Sequence, residues 1–153
     1  FHDPRVQVRL LTVPGVNGAT LLDDTYNASP ASCMAALSLL QEIPAQRRIA
    51  VFGDMYELGW YEEEGHRMVG RRAAAVVDRL FTLGPRARWI AEEAIAAGLS
   101  PEHVFATDDR RELIEILRET LRRGDFVLIK GARGMRMEEI VEALRVPGEE
   151  RGS

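Results

Sequence analysis

Short apolar runs recur along this chain at Ala19-Thr20-Leu21-Leu22, Ile49-Ala50-Val51-Phe52, Leu80-Phe81-Thr82-Leu83, Val104-Phe105-Ala106 and Phe126-Val127-Leu128-Ile129. They lack the alternation of a strand with one wet face, so each is read as a strand buried on both sides, as in a parallel sheet covered by helices. Helical patterns fill the intervals. Ser29-Pro30 supplies an N-cap and a first-turn proline, and Cys33, Leu37 and Leu40 then make one stripe. Glu62 to Glu64 open a second helix that runs through Val69, Ala73 and Val76. A third spans about Arg86 to Ala97 and stops at Gly98; a fourth, capped by Asp108, buries Leu113, Ile116, Leu117 and Leu121. The last presents Met137, Ile140, Val141 and Leu144. Such a series predicts an α/β fold, a three-layer, doubly wound (Rossmann-like), mostly parallel sheet.

Ahead of it, Val6 to Leu11 alternates as a half-buried strand does, and the turn signals Pro14-Gly15 and Asn17-Gly18 follow. Residues 1–18 therefore read as a linker and an N-terminal β-hairpin, and residues 148–153 as a frayed tail. The 153 residues, 46% of them hydrophobic, suit one globular domain. A first residue of Phe1, not Met, points to a piece of something longer.

Composition narrows the function. No apolar run reaches the ~18–20 residues that span a bilayer, and no secretory leader is visible, so no membrane partner and a cytoplasmic location are expected. A net charge of -4 gives no general attraction to nucleic acid. A monomer is expected. Cys33 is the only cysteine and forms no internal disulfide; packing is its expected role. Phosphate-loop, dinucleotide-fingerprint and nucleophile-elbow motifs are missing, as is any Cys/His spacing for a metal.

In an open α/β sheet, ligands bind beyond the carboxyl ends of the strands. Those ends are polar here: Asp23-Asp24-Thr25-Tyr26-Asn27, then Gly53-Asp54-Met55, Thr107-Asp108, and Lys130-Gly131-Ala132-Arg133-Gly134 around the only lysine. The last string is a strand feeding a glycine-bearing loop and a helix, a pattern that turns backbone N–H groups toward an anion, with Lys130, Arg133 or Arg136 adding charge. A plain tight turn is the alternative. Asp23 and Asp24 suit hydroxyl donors such as ribose, or else an Asx turn before Ser29; Asp54 suits a ligand or a turn, and His66 is more simply structural. An anion- or nucleotide-binding lobe without hydrolytic machinery fits these signals.

Three strings, in order and spacing, carry a resemblance that covers nearly the whole chain: Asp23-Asp24-Thr25-Tyr26-Asn27-Ala28-Ser29-Pro30; Val51-Phe52-Gly53-Asp54-Met55-Tyr56-Glu57-Leu58-Gly59 with His66 beyond it; and Lys130-Gly131-Ala132-Arg133-Gly134-Met135-Arg136-Met137-Glu138. Together they resemble the C-terminal domain of the Mur ligases, in the branch that adds the dipeptide D-alanyl-D-alanine. The resemblance implies a three-domain, ATP-dependent peptidoglycan-precursor ligase whose N-terminal domain and central ATPase domain lie outside this chain. The first would hold UDP-N-acetylmuramoyl-tripeptide, and the central one the phosphate loop and most of the Mg2+ ligands. The chain would be the third domain, a lid inactive by itself with no catalytic residue of its own.

Carried over by position, the resemblance puts Asp24 on the ATP ribose with Asp23 beside it, Tyr26 and Asn27 next to the nucleotide, and Arg9 toward its phosphates. Val8 stands where the family has glycine before that arginine, and Ser29 where Asn is commoner. Lys130, Gly131, Arg133 and Gly134 would hold the D-Ala-D-Ala carboxylate, and Asp54 would orient that loop or meet the dipeptide amine. Two other readings compete: a related ligase that adds a single amino acid, and a receiver-like signalling module in which Asp23-Asp24, Asp54 and Lys130 form a phosphorylation set. The receiver reading fits poorly, because the spacing of its second Asp and the Gly after Lys130 depart from that pattern.

Overall fold

The computed structural model describes residues 11–147. Six strands, β1 (Leu11–Pro14), β2 (Thr20–Asp24), β3 (Arg47–Gly53), β4 (Arg79–Leu83), β5 (Val104–Thr107) and β6 (Asp125–Lys130), form one sheet in the order β1-β2-β6-β3-β4-β5. All neighbours pair in parallel except β1 and β2, which form the expected antiparallel hairpin. The part of the expected first strand that precedes residue 11, and residue Arg9, lie outside the described residues, as does the expected frayed tail from residue 148.

Five helices cover the sheet: α1 (Pro30–Glu42), α2 (Glu62–Val76), α3 (Ala87–Ala96), α4 (Arg110–Thr120) and α5 (Glu138–Leu144). The apolar runs are continuous because alternate residues serve opposite layers. Ala50, Phe52, Leu80 and Leu128 pack with Leu37 and Leu40 of α1, Val69 and Ala73 of α2, and Ile90 of α3. Ile49, Val51, Val127 and Ile129 pack on the other side with Leu113 and Leu117 of α4 and Ile140 and Leu144 of α5. Three layers thus share two cores, and truncating a buried leucine such as Leu117 to Ala costs about 2–5 kcal/mol.

Local chemistry sets the boundaries. Ser29 and Ser32 cap α1 reciprocally, Ser32 N donating to Ser29 Oγ at 3.1 Å and Ser29 N to Ser32 Oγ at 2.9 Å, with Pro30 at the first helical position. Asn17 turns through φ 62° and Gly18 through 85°, as the Asn-Gly signal predicts. Asn17 Nδ2 donates to the Arg118 and Leu121 carbonyls at 2.7 and 2.8 Å, tying the hairpin to the end of α4. The cap of α4 corrects the sequence reading: Asp109, not Asp108, accepts the Arg111 N–H at 2.9 Å. Asp108 pairs with Arg88 at 3.2 Å instead. Arg136 lies ahead of α5, in the left-handed region at φ 55°.

The strand order sets one edge of the sheet apart. The chain leaves β2 and β3 toward α1 and α2 on one face, but leaves β6, which lies between them, toward α5 on the other. Connections diverge there, opening a crevice beyond the carboxyl ends of β2, β6 and β3.

Candidate functional site

Parallel register brings the first and third sequence strings together. Asp24 and Lys130 are lateral neighbours at the ends of β2 and β6, and Phe52 is the neighbour of Lys130 on β3. Lys130 is only 3% exposed; its Nζ donates to Asp24 Oδ2 at 2.9 Å and to the Asn27 carbonyl at 3.0 Å. A buried ammonium without such partners would carry a large desolvation cost, so this contact fixes both the stem of Lys130 and the strand-to-helix turn above it. Asp23 is bonded locally. Its Oδ1 accepts from Thr25 Oγ1 at 2.7 Å and Thr25 N at 3.3 Å, the Asx turn that was one of its two expected roles.

Beside this pair lies a cleft of about 500 Å3 lined by Leu11, Asp23, Asp24, Thr25, Tyr26, Arg133 and Glu138. Tyr26 is 73% exposed, and the Arg133 guanidinium stacks over its ring at 5.0 Å. This cation–aromatic contact joins the β2 and β6 loops across the mouth of the cleft.

The β6 loop is built by close packing. A Cβ on Gly131 would lie 2.6 Å from Met137 Cγ and 3.2 Å from Gly53 Cα, so glycine is what lets β3 and β6 end this close above Met137. Ala132 N donates to the Asp54 carbonyl at 2.9 Å, which commits one of the loop amides to the fold. Arg133–Met135 then form a 3-10 turn, with Arg133 and Gly134 exposed and Gly134 facing the Tyr56 ring.

Asp54 is brought to the loop by its backbone but not by its side chain. That carboxylate is 1% exposed, accepts the Ala87 N–H at the start of α3 at 2.7 Å, and lies 3.4 Å from Arg86. Burial pushes its pKa up, against the opposing pull of the Ala87 N–H and Arg86. It belongs to a second cleft of about 380 Å3, beyond β4 and β5, where Tyr56, Arg86, Asp108, Arg110 and Met135 also stand. Tyr56 lines this second cleft, its hydroxyl 3.0 Å from Met135 Sδ. Sequence reasoning missed Arg86 and Arg110, because nothing sets them apart among so many arginines until strand order places them on this edge.

His66 is fully buried behind this loop. Its Nε2 accepts from Met55 N at 3.0 Å and its Nδ1 lies 2.7 Å from the Glu62 carbonyl, which defines a neutral ring protonated on Nδ1. Burial holds its pKa below the usual value, against the Glu62 bond. It is structural, as the sequence suggested. Cys33 is likewise a packed residue, 3.8 Å from Met55 Sδ, with burial pushing the thiol up to about 12. Among the described residues no group of three or more His, Cys, Asp or Glu side chains is placed to hold a metal ion, and no helix is long and apolar enough to cross a membrane.

Comparisons with known proteins agree with this fold. The family model described as "Mur ligase, glutamate ligase domain" matches residues 8–133. UDP-N-acetylmuramoyl-tripeptide–D-alanyl-D-alanine ligase of Bacillus subtilis is 34% identical over 139 residues, which cover 90% of this chain and 30% of the relative. The enzyme of the same name from Treponema pallidum is 40% identical over 127 residues, covering 82% and 28%. In structure, the chain is similar to a MurF ligase from Thermotoga maritima in complex with ADP, with a TM-score of 0.69 and 30% identity over 86% of this chain and 30% of that one. The chain thus spans about 30% of the length of these relatives.

Proposed function

The chain belongs to the Mur ligase family as a C-terminal Mur ligase domain, and from that premise we propose that it is the lid of an ATP-dependent ligase joining D-Ala-D-Ala to UDP-N-acetylmuramoyl-tripeptide. The observation that carries this reading is the Asp24–Lys130 pair at the strand crossover, beside a cleft rimmed by Tyr26 and Arg133. In the proposed cycle, ATP phosphorylates the terminal carboxylate of the tripeptide, giving an acyl phosphate and ADP. The dipeptide amine then attacks the acyl carbon, and phosphate leaves as the amide forms.

This chain's part is placement. Asp24, with Asp23 beside it, accepts from the ribose hydroxyls, Tyr26 and Asn27 flank the nucleotide, and Arg9 reaches toward its phosphates. Arg133, with the Gly131–Gly134 loop, holds the dipeptide carboxylate, and Asp54 orients that loop through its carbonyl. Orienting an amine against an acyl phosphate supplies on the order of 7–11 kcal/mol in well-aligned systems, and closure keeps water from the reactive intermediate. Mg2+ accompanies ATP and is held mainly by the central domain. The ligase acts as a cytoplasmic monomer.

A receiver-like role is not favoured, because the Asp54 carboxylate that it would phosphorylate is buried against Ala87 and Gly84. The test of the proposal is phosphate release by the full-length ligase with ATP, Mg2+ and the UDP-linked tripeptide. Release that requires D-Ala-D-Ala supports it. Release driven by a single amino acid moves the chain to another branch, and failure to release phosphate with any amine overturns it.

A further inference from the structure

We propose that Lys130 is a positioning residue for the nucleotide, acting through Asp24, and does not touch the dipeptide. The inference rests on the reading of Asp24 as the ribose acceptor and names what holds that acceptor in place. Three observations carry it.

The first is burial: the Lys130 side chain is 4% exposed, beneath the turn between β2 and α1, while Arg133 and Gly134 of the same loop stand exposed. The second is its bonding. Nζ has Asp24 Oδ2 at 2.9 Å and the Asn27 carbonyl at 3.0 Å, so the ammonium spans the first and last residues of the segment that would face the nucleotide. The third is register. Asp24 and Lys130 are direct neighbours on adjacent parallel strands, a placement set by the sheet and independent of any ligand.

An ionised carboxylate is an acceptor only, with about four lone-pair sites. Lys130 takes one and leaves the others to a pair of hydroxyl donors. Its second bond pins Asn27, so the carboxylate and the following turn move as one piece. A lysine suits this place better than an arginine, since a compact ammonium serves two oxygens from one point.

The test compares ATP with 2′,3′-dideoxyATP in the full-length ligase, with KM measured for both nucleotides and for D-Ala-D-Ala. Wild-type enzyme is expected to prefer ATP, and Lys130→Gln to lower that preference by about tenfold or more, the scale of one charge-assisted hydrogen bond. The dipeptide KM stays within about twofold, and adding Asp24→Asn to Lys130→Gln costs little further discrimination, because the two act through one contact. Lys130→Arg, which keeps the charge if the Gln variant does not fold, is expected to retain part of the preference. A Lys130 variant with undiminished ATP preference and a raised dipeptide KM overturns the inference while leaving the ribose reading intact. A wild-type enzyme indifferent to the ribose hydroxyls overturns both.

Discussion

Strand β6 carries a buried ion pair at each end, and the two differ in what they leave open. At its start, Asp125 receives Arg47 Nε and Nη2 at 2.7 Å each, while Arg47 Nη2 also reaches the Thr120 carbonyl and Asp125 also accepts the Arg122 N–H. Asp125 is 1% exposed and the fork is bidentate, so this is a closed joint between β3, β6 and the end of α4. At the other end Lys130 meets Asp24 through a single contact beside an open cleft. The amino end of β6 is closed by a pair whose atoms bond within the fold; its carboxyl end stands beside an open cleft, where the proposed nucleotide would sit.

This contrast predicts a separation of effects. The largest is at the sealed end. Asp125→Ala leaves Arg47 buried without its partner and is expected to cost about 3–5 kcal/mol, seen as a lower urea midpoint for this chain with no selective change in nucleotide KM in the full-length ligase. A stability loss below about 1 kcal/mol would remove the contrast.

Gly131→Ala sharpens the other end. Its Cβ would overlap Met137 and crowd Gly53, so a loss of about 1–3 kcal/mol is expected together with a raised dipeptide KM, because the loop that carries Arg133 is displaced. Unfolding and dipeptide kinetics on the one variant separate the two parts. Arg133→Ala is expected to leave the urea midpoint within about 0.5 kcal/mol, since its partner Tyr26 is exposed, while raising the dipeptide KM more than the ATP KM.

The smallest effect is a dependence on pH. In the unfolded chain His66 titrates at about 6.5, but in the fold burial keeps its pKa below that. As pH falls through the window between the two values, the unfolded chain takes up a proton that the folded one refuses, so stability falls. Asp54, pushed up by burial, runs the opposite way: in more acid solution the folded chain takes its proton first, and stability gains as pH falls through that raised value. The difference between wild type and His66→Gln, followed by urea unfolding from pH 8 to 5, isolates the histidine; no difference in slope would contradict its neutral, buried state.

The strands, helices and hairpin were legible because each rests on local signals. Continuous apolar runs mark strands with both faces covered, Ser29-Pro30 marks a helix start, and Asn17-Gly18 marks the turn. The place of β6 between β2 and β3 was not legible, since it depends on a crossover that returns from the far edge of the sheet. Both ion pairs were hidden for the same reason: Arg47 and Asp125 are 78 residues apart, Asp24 and Lys130 106, and only the register joins them. The cap of α4 failed for a local reason, since Asp108 and Asp109 are equivalent on paper. Thr107 Oγ1 accepts the Asp109 N–H at 3.0 Å, and the Asp109 carboxylate then accepts the Arg111 and Glu112 N–H groups.

The division between the closed end of β6 and the end proposed to face the nucleotide meets its sharpest test in one paired measurement: the ATP KM and the melting temperature of the full-length ligase for Asp24→Ala and for Asp125→Ala. The two variants are expected to share a loss of stability and to part on ATP. Each leaves a buried cation without its carboxylate and lowers the melting temperature, but Asp24→Ala also raises the ATP KM about tenfold or more, whereas Asp125→Ala leaves it unchanged. An ATP KM that is unmoved by Asp24→Ala in folded enzyme would contradict the placement of the nucleotide at this edge of the sheet.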